Sequence, residues 1–92
     1  MRTIKYTTQF KRDYKLEKRT HHNDFDKKLL FVVDSLATDT LLPERLRDHR
    51  LSGEWKDHRD CHIKSDLVLI YRKPNEDTLE LVRLGSHSEL SL

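Results

Sequence analysis

The sequence has no paired cysteines, no long apolar run and no low-complexity segment. Its single cysteine, Cys61, cannot form an internal disulfide, which favours a reducing compartment. The N-terminus lacks the apolar run of a signal peptide, and no segment approaches the roughly 18 apolar residues of a membrane span. A chain of 92 residues without repeats or linkers predicts one domain over residues 1–92, located in the cytoplasm and away from membranes.

Neither sign of charge dominates the composition. The chain carries 18 Lys and Arg against 16 Asp and Glu, for a formal net charge of +2, which excludes a polycation. Basic residues crowd positions 2–28 and 45–59, whereas acidic residues are over-represented from residue 75 to the end. A basic face of this kind suits a phosphate-bearing partner, but an ordinary mixed-charge surface accounts for the same totals.

The N-terminal half has the pattern of a short strand followed by two amphipathic helices. Alternation predicts the strand at residues 3–6, and Thr7 or Thr8 is suited to cap the first helix. Asn23 is suited to cap the second helix, with Asp26 at the position of a capping-box acid. The apolar stripe of the second helix comprises Phe25, Leu29, Val32, Val33 and Leu36.

The C-terminal half has the pattern of a loop followed by three strands. Residues 41–53 are a predicted loop with one helical turn, and Trp55 begins a predicted strand that ends near Ile63. The apolar run at residues 67–71 predicts a strand buried on both faces, with residues 78–85 as its hairpin partner. We therefore expect an α+β fold in the order β-α-α-β-β-β. Two helices would cover one face of a four-stranded antiparallel sheet and leave the other face to polar residues.

Polar side chains alternate along the strand predicted before the buried run. Asp60 and His62 are two residues apart and point to one face, while Cys61 and Ile63 point to the core. His58 shares this face if the strand is regular that far back. A carboxylate beside an imidazole orients the ring and holds its proton, although a surface pair without a role is the alternative.

Three more candidate residues lie outside that strand. His49 is in the predicted loop, where a histidine is either solvated or functional. Asp66 opens the buried strand, where it either caps a turn or stands beside His62 across the hairpin. His87 follows the last strand, and Arg83 is spaced to reach a phosphate near the same point. The alternative for His87 is a frayed C-terminus.

The ligand types for a metal are present, but their spacing does not favour a metal site. The sequence has no His-x-x-x-His pair on a predicted helix and no paired cysteines. Cys61 has the wrong strand parity to join Asp60 and His62, and its predicted burial does not suit a reactive thiol. We therefore expect no metal, no cofactor and no protein nucleophile.

With these motifs in order, the chain resembles the RelE superfamily of bacterial type II toxins, and within it the YafQ-type branch. The resemblance spans nearly the whole chain and rests on DHRLSG at 48–53, EWK at 54–56, RDCHIKSD at 59–66, LIY at 69–71 and RLGSH at 83–87. It implies a RelE-like fold, a ribosome-dependent endoribonuclease that cuts mRNA in the A site, and a cognate antitoxin that wraps and silences the toxin. The branch tends to place an aromatic residue close to the C-terminus, where this chain has Ser91 and Leu92.

The resemblance also implies a catalytic set. The matching positions are His49, His62, Asp66 and His87, with Asp60 and Arg83 nearby. RNA is cut without a metal when a base takes the proton of a ribose 2′-hydroxyl and an acid protonates the departing 5′-oxygen. We expect His87 to be the acid and His49 the base, with Asp66 as the other candidate base. His62, oriented by Asp60 or Asp66, would stabilise charge on the phosphorane together with Arg83.

The expected partners are the antitoxin, the ribosome and its mRNA, without a small-molecule cofactor. Basic residues of the first helix and of the 45–59 loop, among them Lys56 and Arg59, would dock on RNA phosphates. Two alternatives remain: a gyrase-poisoning toxin of the same fold, and an RNA-binding module that blocks translation without cutting. The three histidines favour cleavage.

Overall fold

The computed structural model describes residues 1–20 and 24–92, which form two helices and a five-stranded sheet. In chain order the elements are β1 (Thr3–Tyr6), α1 (Thr8–Thr20), α2 (Phe25–Ala37), β2 (His49–Arg50), β3 (Arg59–Lys64), β4 (Leu67–Asn75) and β5 (Thr78–Gly85). Two 3₁₀ turns, Glu44–Leu46 and Gly53–Trp55, flank β2. The predicted α+β class is confirmed. In the described part of the chain, neither helix is long and apolar enough to cross a membrane.

The sheet has the strand order β1-β5-β4-β3-β2 and is mixed rather than wholly antiparallel. β1 lies parallel to β5, with Thr3 opposite Thr78 and Tyr6 opposite Leu81. The expected four antiparallel strands therefore differ from the structure in number and in direction. β2 has two residues, too few to show alternation in a sequence. The partner of β1 lies at the other end of the chain, where local patterns do not reach.

β4 forms the centre of the sheet and is buried on both sides, as the apolar run predicts. Its residues from Leu67 to Tyr71 are each at most 2% exposed. On one face they pack with the predicted stripe of α2, all of whose members are buried. The other face carries a smaller cluster of Val68, Ile70 and Leu90, with Leu51, Trp55 and Val82 beside them. The helices thus cover one face, and the other face carries this small apolar cluster beside the polar side chains of β3.

The predicted helix starts have different outcomes. Thr7 caps α1, because its hydroxyl accepts a hydrogen bond from the Phe10 amide at 2.9 Å. Asn23 lies outside the described residues. The capping box predicted for Asp26 pairs it with Asn23 and so also lies outside the described residues, while the Asp26 carboxylate accepts a hydrogen bond from the Tyr14 hydroxyl at 2.6 Å and thereby ties α2 to α1.

β3 begins at Arg59, later than predicted. Trp55 ends a 3₁₀ turn, and the chain reverses at Asp57, whose φ of 71° lies in the left-handed region. His58 consequently precedes the strand, and its ring packs edge-on against Trp55 with centroids 5.4 Å apart. The predicted alternation therefore does not extend back to His58.

Candidate active site

The pairing of β2 with β3 places His49 directly opposite Asp60. The His49 Nδ1 atom lies 2.7 Å from the Arg47 carbonyl oxygen and 3.0 Å from Asp60 Oδ1. Because a carbonyl oxygen only accepts, Nδ1 carries the ring proton in the neutral imidazole and Nε2 keeps its lone pair. The arrangement fixes the tautomer that a general base needs.

Asp60 is a buried carboxylate beside several imidazoles. It is 2% exposed, and its Oδ1 receives no well-aligned hydrogen bond from the described residues. Burial raises the pKa of Asp60, while charge on His49, His62 and His87 acts in the opposite direction. The Asp60 carboxylate therefore stabilises positive charge on these imidazoles.

A second carboxylate–imidazole pair joins the turn after β3 to the C-terminal segment. His87 Nδ1 lies 2.8 Å from Asp66 Oδ1, and the His87 amide donates to the same oxygen at 3.3 Å. These bonds lower the pKa of Asp66. A carboxylate accepts, so Nδ1 again carries a proton, and a charged His87 has its second proton on Nε2.

His62 shares the Asp60 face of β3 and contacts His87. The two imidazole centroids are 5.0 Å apart, with the ring planes inclined at 64°. Burial, and then charge on His87, lower the pKa of His62, which favours the neutral ring at neutral pH. The structure corrects one predicted contact here: Asp60 and Asp66 pair with His49 and His87, and neither orients His62.

A hydrogen-bonded turn holds His87 in place. The Ser86 amide donates to Glu89 Oε1 at 2.9 Å, and the Glu89 amide donates to Ser86 Oγ at 3.1 Å. This reciprocal arrangement is a capping box, for which the S-x-x-E pattern at residues 86–89 is the sequence signal. Leu90 is buried in the smaller cluster. The alternative of a frayed C-terminus is therefore wrong.

Arg83 is bound by α1 in this structure. Its Nε donates to Asp13 Oδ2 at 2.8 Å, and the neighbouring Leu84 amide donates to the same oxygen at 3.0 Å. The register of β5 shifts next to Arg83, which lies opposite Ile70 while Leu81 lies opposite Tyr71. A phosphate-binding role for Arg83 stays a prediction that these contacts do not support.

A cleft of about 460 Å³ opens beside the paired imidazoles. Its walls include His49, Trp55, Asp60, His87, Ser91 and Leu92. Trp55 brings an extended aromatic surface to the cleft, which the C-terminal Ser91 and Leu92 do not. Two candidate proton-transfer groups and a flat apolar ring thus share one open space.

Residues 2–92 match the sequence model of a family described as the bacterial toxin of type II toxin–antitoxin system, YafQ. The chain belongs to this family. A curated relative, the mRNA interferase toxin YafQ of Escherichia coli strain K12, is 39% identical over 90 residues, which cover 97% of this chain and 95% of the relative. The resemblance predicted from the motifs is confirmed.

Solved structures of YafQ-like toxins share the fold. The E. coli DinJ–YafQ complex contains a chain that matches with a TM-score of 0.85 and 36% identity over 98% of both chains. A metal-bound toxin from Helicobacter pylori matches with a TM-score of 0.87 and 46% identity, over 98% of this chain and 99% of that one. Residues 1–20 and 24–92 of the present YafQ-family chain contain no group of three His, Cys, Asp or Glu side chains with the geometry of a metal site.

Arg59 and Lys56 lie on a different side of this YafQ-family toxin from the imidazoles. Arg59 is opposite Tyr71, and its Nε donates to Asp48 Oδ1 at 3.1 Å, while the Tyr71 hydroxyl donates to the same oxygen at 2.6 Å. These bonds anchor the backbone just before His49. A separate polar cavity of about 730 Å³ is lined by charges of both signs; the cations are Arg50, Lys56, Arg59, Arg72 and Lys73, and the acids are Asp39, Asp48 and Asp57.

Proposed function

We propose that this toxin is a ribosome-dependent endoribonuclease that cuts mRNA in the A site by acid–base catalysis without a metal ion. The proposal is carried by the two imidazoles, His49 and His87, whose Nδ1 atoms are both engaged while their Nε2 atoms remain for substrate. The E. coli relative is named an mRNA interferase, which supports the same substrate class.

His49 is the general base in this mechanism. Its Nδ1 proton is directed to the Arg47 carbonyl, so Nε2 takes the proton of the ribose 2′-hydroxyl. The imidazolium that results lies beside the buried Asp60 carboxylate, which stabilises the new positive charge. Asp66 is less suited to this role, because His87 already occupies one of its oxygens.

His87 is the general acid, and His62 assists. The Asp66 carboxylate holds Nδ1 of the His87 ring, and the Nε2 proton of the charged ring goes to the departing 5′-oxygen. His62 touches His87 and has a lowered pKa, so its neutral ring donates a hydrogen bond to the phosphorane without adding a second fixed charge.

The openness of the site supports dependence on the ribosome. The side chains of His49, His87 and Asp66 are 53%, 41% and 67% exposed, respectively. Such a shallow surface does little to orient a flexible RNA strand. Correct orientation of the reacting groups accounts for a large part of the lowering of an activation barrier. The ribosome presents the mRNA in a fixed geometry, which we infer to be the missing part of the site.

Charged side chains away from the imidazoles provide the docking surface. Lys11, Lys15 and Lys18 lie on α1, and further cations line the cavity around Lys56 and Arg59. We infer contacts from these cations to RNA phosphates. We also infer a cognate antitoxin, as in the DinJ–YafQ complex of the relative, and action in the cytoplasm where ribosomes are found.

The chemistry of the cut ends tests the mechanism. Attack by the 2′-hydroxyl leaves a 2′,3′-cyclic phosphate on one fragment and a 5′-hydroxyl on the other. Attack by an activated water leaves a phosphate monoester on one fragment and a free hydroxyl at the cut end of the other. We expect the first pair of ends on ribosome-bound mRNA and no cleavage of the same mRNA free in solution. Water-type ends would overturn the acid–base proposal. Intact mRNA on arrested ribosomes would support the alternative of an RNA-binding module that blocks translation without cutting. Inhibition of gyrase would support the alternative of a gyrase-poisoning toxin.

A further inference from the structure

The strand that carries His49 is the shortest of the described strands. β2 has only two residues, and it lies at the edge of the sheet, where it pairs with β3. Two residue pairs, His49 with Asp60 and Arg50 with Arg59, define its register. Short strands at the edge of a sheet open readily, so a precisely placed His49 needs support from outside β2.

The backbone just before β2 has an unusual conformation. Arg47 has a φ of 52° and a ψ of 44°, in the left-handed region that residues with a Cβ atom seldom adopt. In this conformation the Arg47 carbonyl oxygen lies 2.7 Å from His49 Nδ1. Asp60 Oδ1 lies 3.0 Å from the same nitrogen but is not aligned for a hydrogen bond, so the carbonyl is the acceptor. Because such a conformation persists only where neighbouring contacts hold it, it points to a restraint close by.

The contacts of Asp48 provide this restraint. The Tyr71 hydroxyl donates to Asp48 Oδ1 at 2.6 Å, and Arg59 Nε donates to the same oxygen at 3.1 Å. Arg59 Nη2 also donates to the backbone carbonyl of Asp48 at 3.5 Å. The residue between Arg47 and His49 is therefore held by both its side chain and its main chain.

Tyr71 is the most deeply buried member of this set. It lies in β4 at the centre of the sheet, directly opposite Arg59, and is 2% exposed within the main core cluster. The side chains of Arg59 and Asp48 are 43% and 28% exposed, respectively. Burial, followed by the hydrogen bond to Asp48, raises the pKa of Tyr71, so its hydroxyl keeps its proton and donates at neutral pH. A core tyrosine thus connects the centre of the sheet to the residue that precedes His49.

Tyr71 and His49 lie on opposite faces of the sheet. Tyr71 packs with the residues of α2, whereas His49 is opposite Asp60 and lines the cleft. We propose that Tyr71 is a positioning residue for the general base. Through Asp48 it keeps the Arg47 carbonyl against Nδ1 of the imidazole, which leaves Nε2 to accept a proton. The effect on cleavage rests on the role proposed above for His49, whereas the effect on the imidazole tautomer does not.

The tautomer of His49 tests this inference without RNA. Tyr71→Phe removes the hydroxyl and keeps the aromatic ring in the core. In the full-length protein at pH 8, where imidazoles are neutral, the ¹⁵N resonances of the His49 ring should show the Nδ1–H tautomer in the wild type and an exchanging mixture in Tyr71→Phe. Asp48→Ala should give the same mixture, and Asp48→Asn, whose carboxamide oxygen still accepts, should restore the single tautomer. A single Nδ1–H tautomer in either Tyr71→Phe or Asp48→Ala would overturn the positioning role.

Tyr14→Phe is the matched control. The Tyr14 hydroxyl donates to Asp26 at 2.6 Å, the same distance as in the Tyr71–Asp48 pair, but it joins α1 to α2. This variant should keep both the His49 tautomer and the cleavage rate of the wild type. A mixed tautomer here would show that loss of any tyrosine hydroxyl disturbs the site, which would overturn the specific role of Tyr71.

Cleavage kinetics extend the test to the proposed reaction. Tyr71→Phe should lower the single-turnover rate on ribosome-bound mRNA by about 10- to 100-fold, because a displacement of about 1 Å can cost about 10²-fold, and should leave the half-saturating ribosome concentration unchanged. The double variant with Asp48→Ala should lose no more than the larger single loss, since both changes remove the same bond. Losses that multiply, or a change in half-saturation alone, would overturn the inference. If the tautomer results hold while the wild type cuts no mRNA, the positioning stands and the nuclease proposal fails.

Discussion

The two candidate proton-transfer groups share one face of the sheet but are held by different kinds of structure. His49 is fixed by the β2–β3 register, a backbone carbonyl and a carboxylate that is 2% exposed. His87 is fixed by the exposed Asp66 and by the hydrogen-bonded turn of residues 86–89. The His49 side therefore depends on the folded sheet, and the His87 side depends on polar contacts at the surface.

This difference predicts that the two halves will fail in different ways. A change near His49 should alter the chemistry while leaving local order intact, because the sheet and its core hold the backbone. A change near His87 should loosen the terminal turn first and reduce cleavage as a consequence. Comparing matched substitutions on the two sides tests this distinction directly.

The largest effects should come from the imidazoles. His49→Ala and His87→Ala are each expected to lower single-turnover cleavage of ribosome-bound mRNA by about 10²–10⁴-fold. His58→Ala is the control, since His58 packs on Trp55 outside the paired set. Cleavage by His87→Ala at the parent rate would remove that residue from the mechanism.

Replacing the two carboxylates should rank the two sides. Asp60→Asn removes a buried charge beside an imidazole that becomes positive, and we expect the rate constant to fall by about 10–100-fold, since a hydrogen bond to a charged group contributes about 1.5–3 kcal/mol. Asp66→Asn removes an exposed partner, which solvent screens, so about a fivefold loss is expected. Because the pKa of Asp66 is lowered, its pairing with His87 stabilises the folded site at pH values above the ordinary Asp range. This stabilisation is lost as the pH falls through the lowered pKa. A larger loss for Asp66→Asn would reverse the ranking.

Trp55 lies in the cleft that both sides share, so its replacement should affect binding more than chemistry. Trp55→Leu keeps an apolar side chain in the smaller cluster but removes the ring. If a nucleobase stacks there, the half-saturating ribosome concentration should rise about tenfold at an unchanged maximal rate, within the usual energy of base stacking. Trp55→Phe should restore most of the loss. A fall in the maximal rate alone would instead indicate that Trp55 positions His49.

The smallest effect should come from the charged cavity around Lys56 and Arg59. Lys56→Gln is expected to weaken ribosome binding modestly and to reduce the slope of log affinity against log salt by about one. Lys5→Gln, on β1 at the opposite edge of the sheet, provides a matched loss of charge. Equal changes in slope for the two variants would mean that the whole surface contributes without a preferred docking face.

Sequence patterns predict the parts of the fold in which one period runs over many residues. The predicted stripe of α2, the buried run of β4 and the bounds of β5 agree with the structure. In each of them, burial of one or both faces imposes a regular spacing of apolar residues that is visible in the sequence. The two-residue β2 and the left-handed backbone at Asp57 leave no such trace. The predicted strand start at Trp55 is wrong because the left-handed backbone at Asp57 interrupts the extended chain before Arg59.

The membership of the candidate site could be predicted, whereas its pairing could not. His49 and His87 line one cleft with Asp60, and His62 contacts His87, as the resemblance implies. Which carboxylate serves which ring depends on strand register and on the path of the C-terminal turn, and neither is a local property of the sequence. Arg83 illustrates the same limit, since a register shift in β5 accompanies its pairing with α1.

Asp13 has a consequence for the backbone at the end of β5. β1 pairs only with the first half of β5, so the Leu84 amide lies beyond the strand that could have accepted its hydrogen bond. The Asp13 carboxylate accepts that bond, and a side chain thus takes the place of a missing strand. Leu84 is 1% exposed, and a buried amide left without an acceptor costs about 1–3 kcal/mol. A single acid on α1 thereby completes the hydrogen bonding of the sheet.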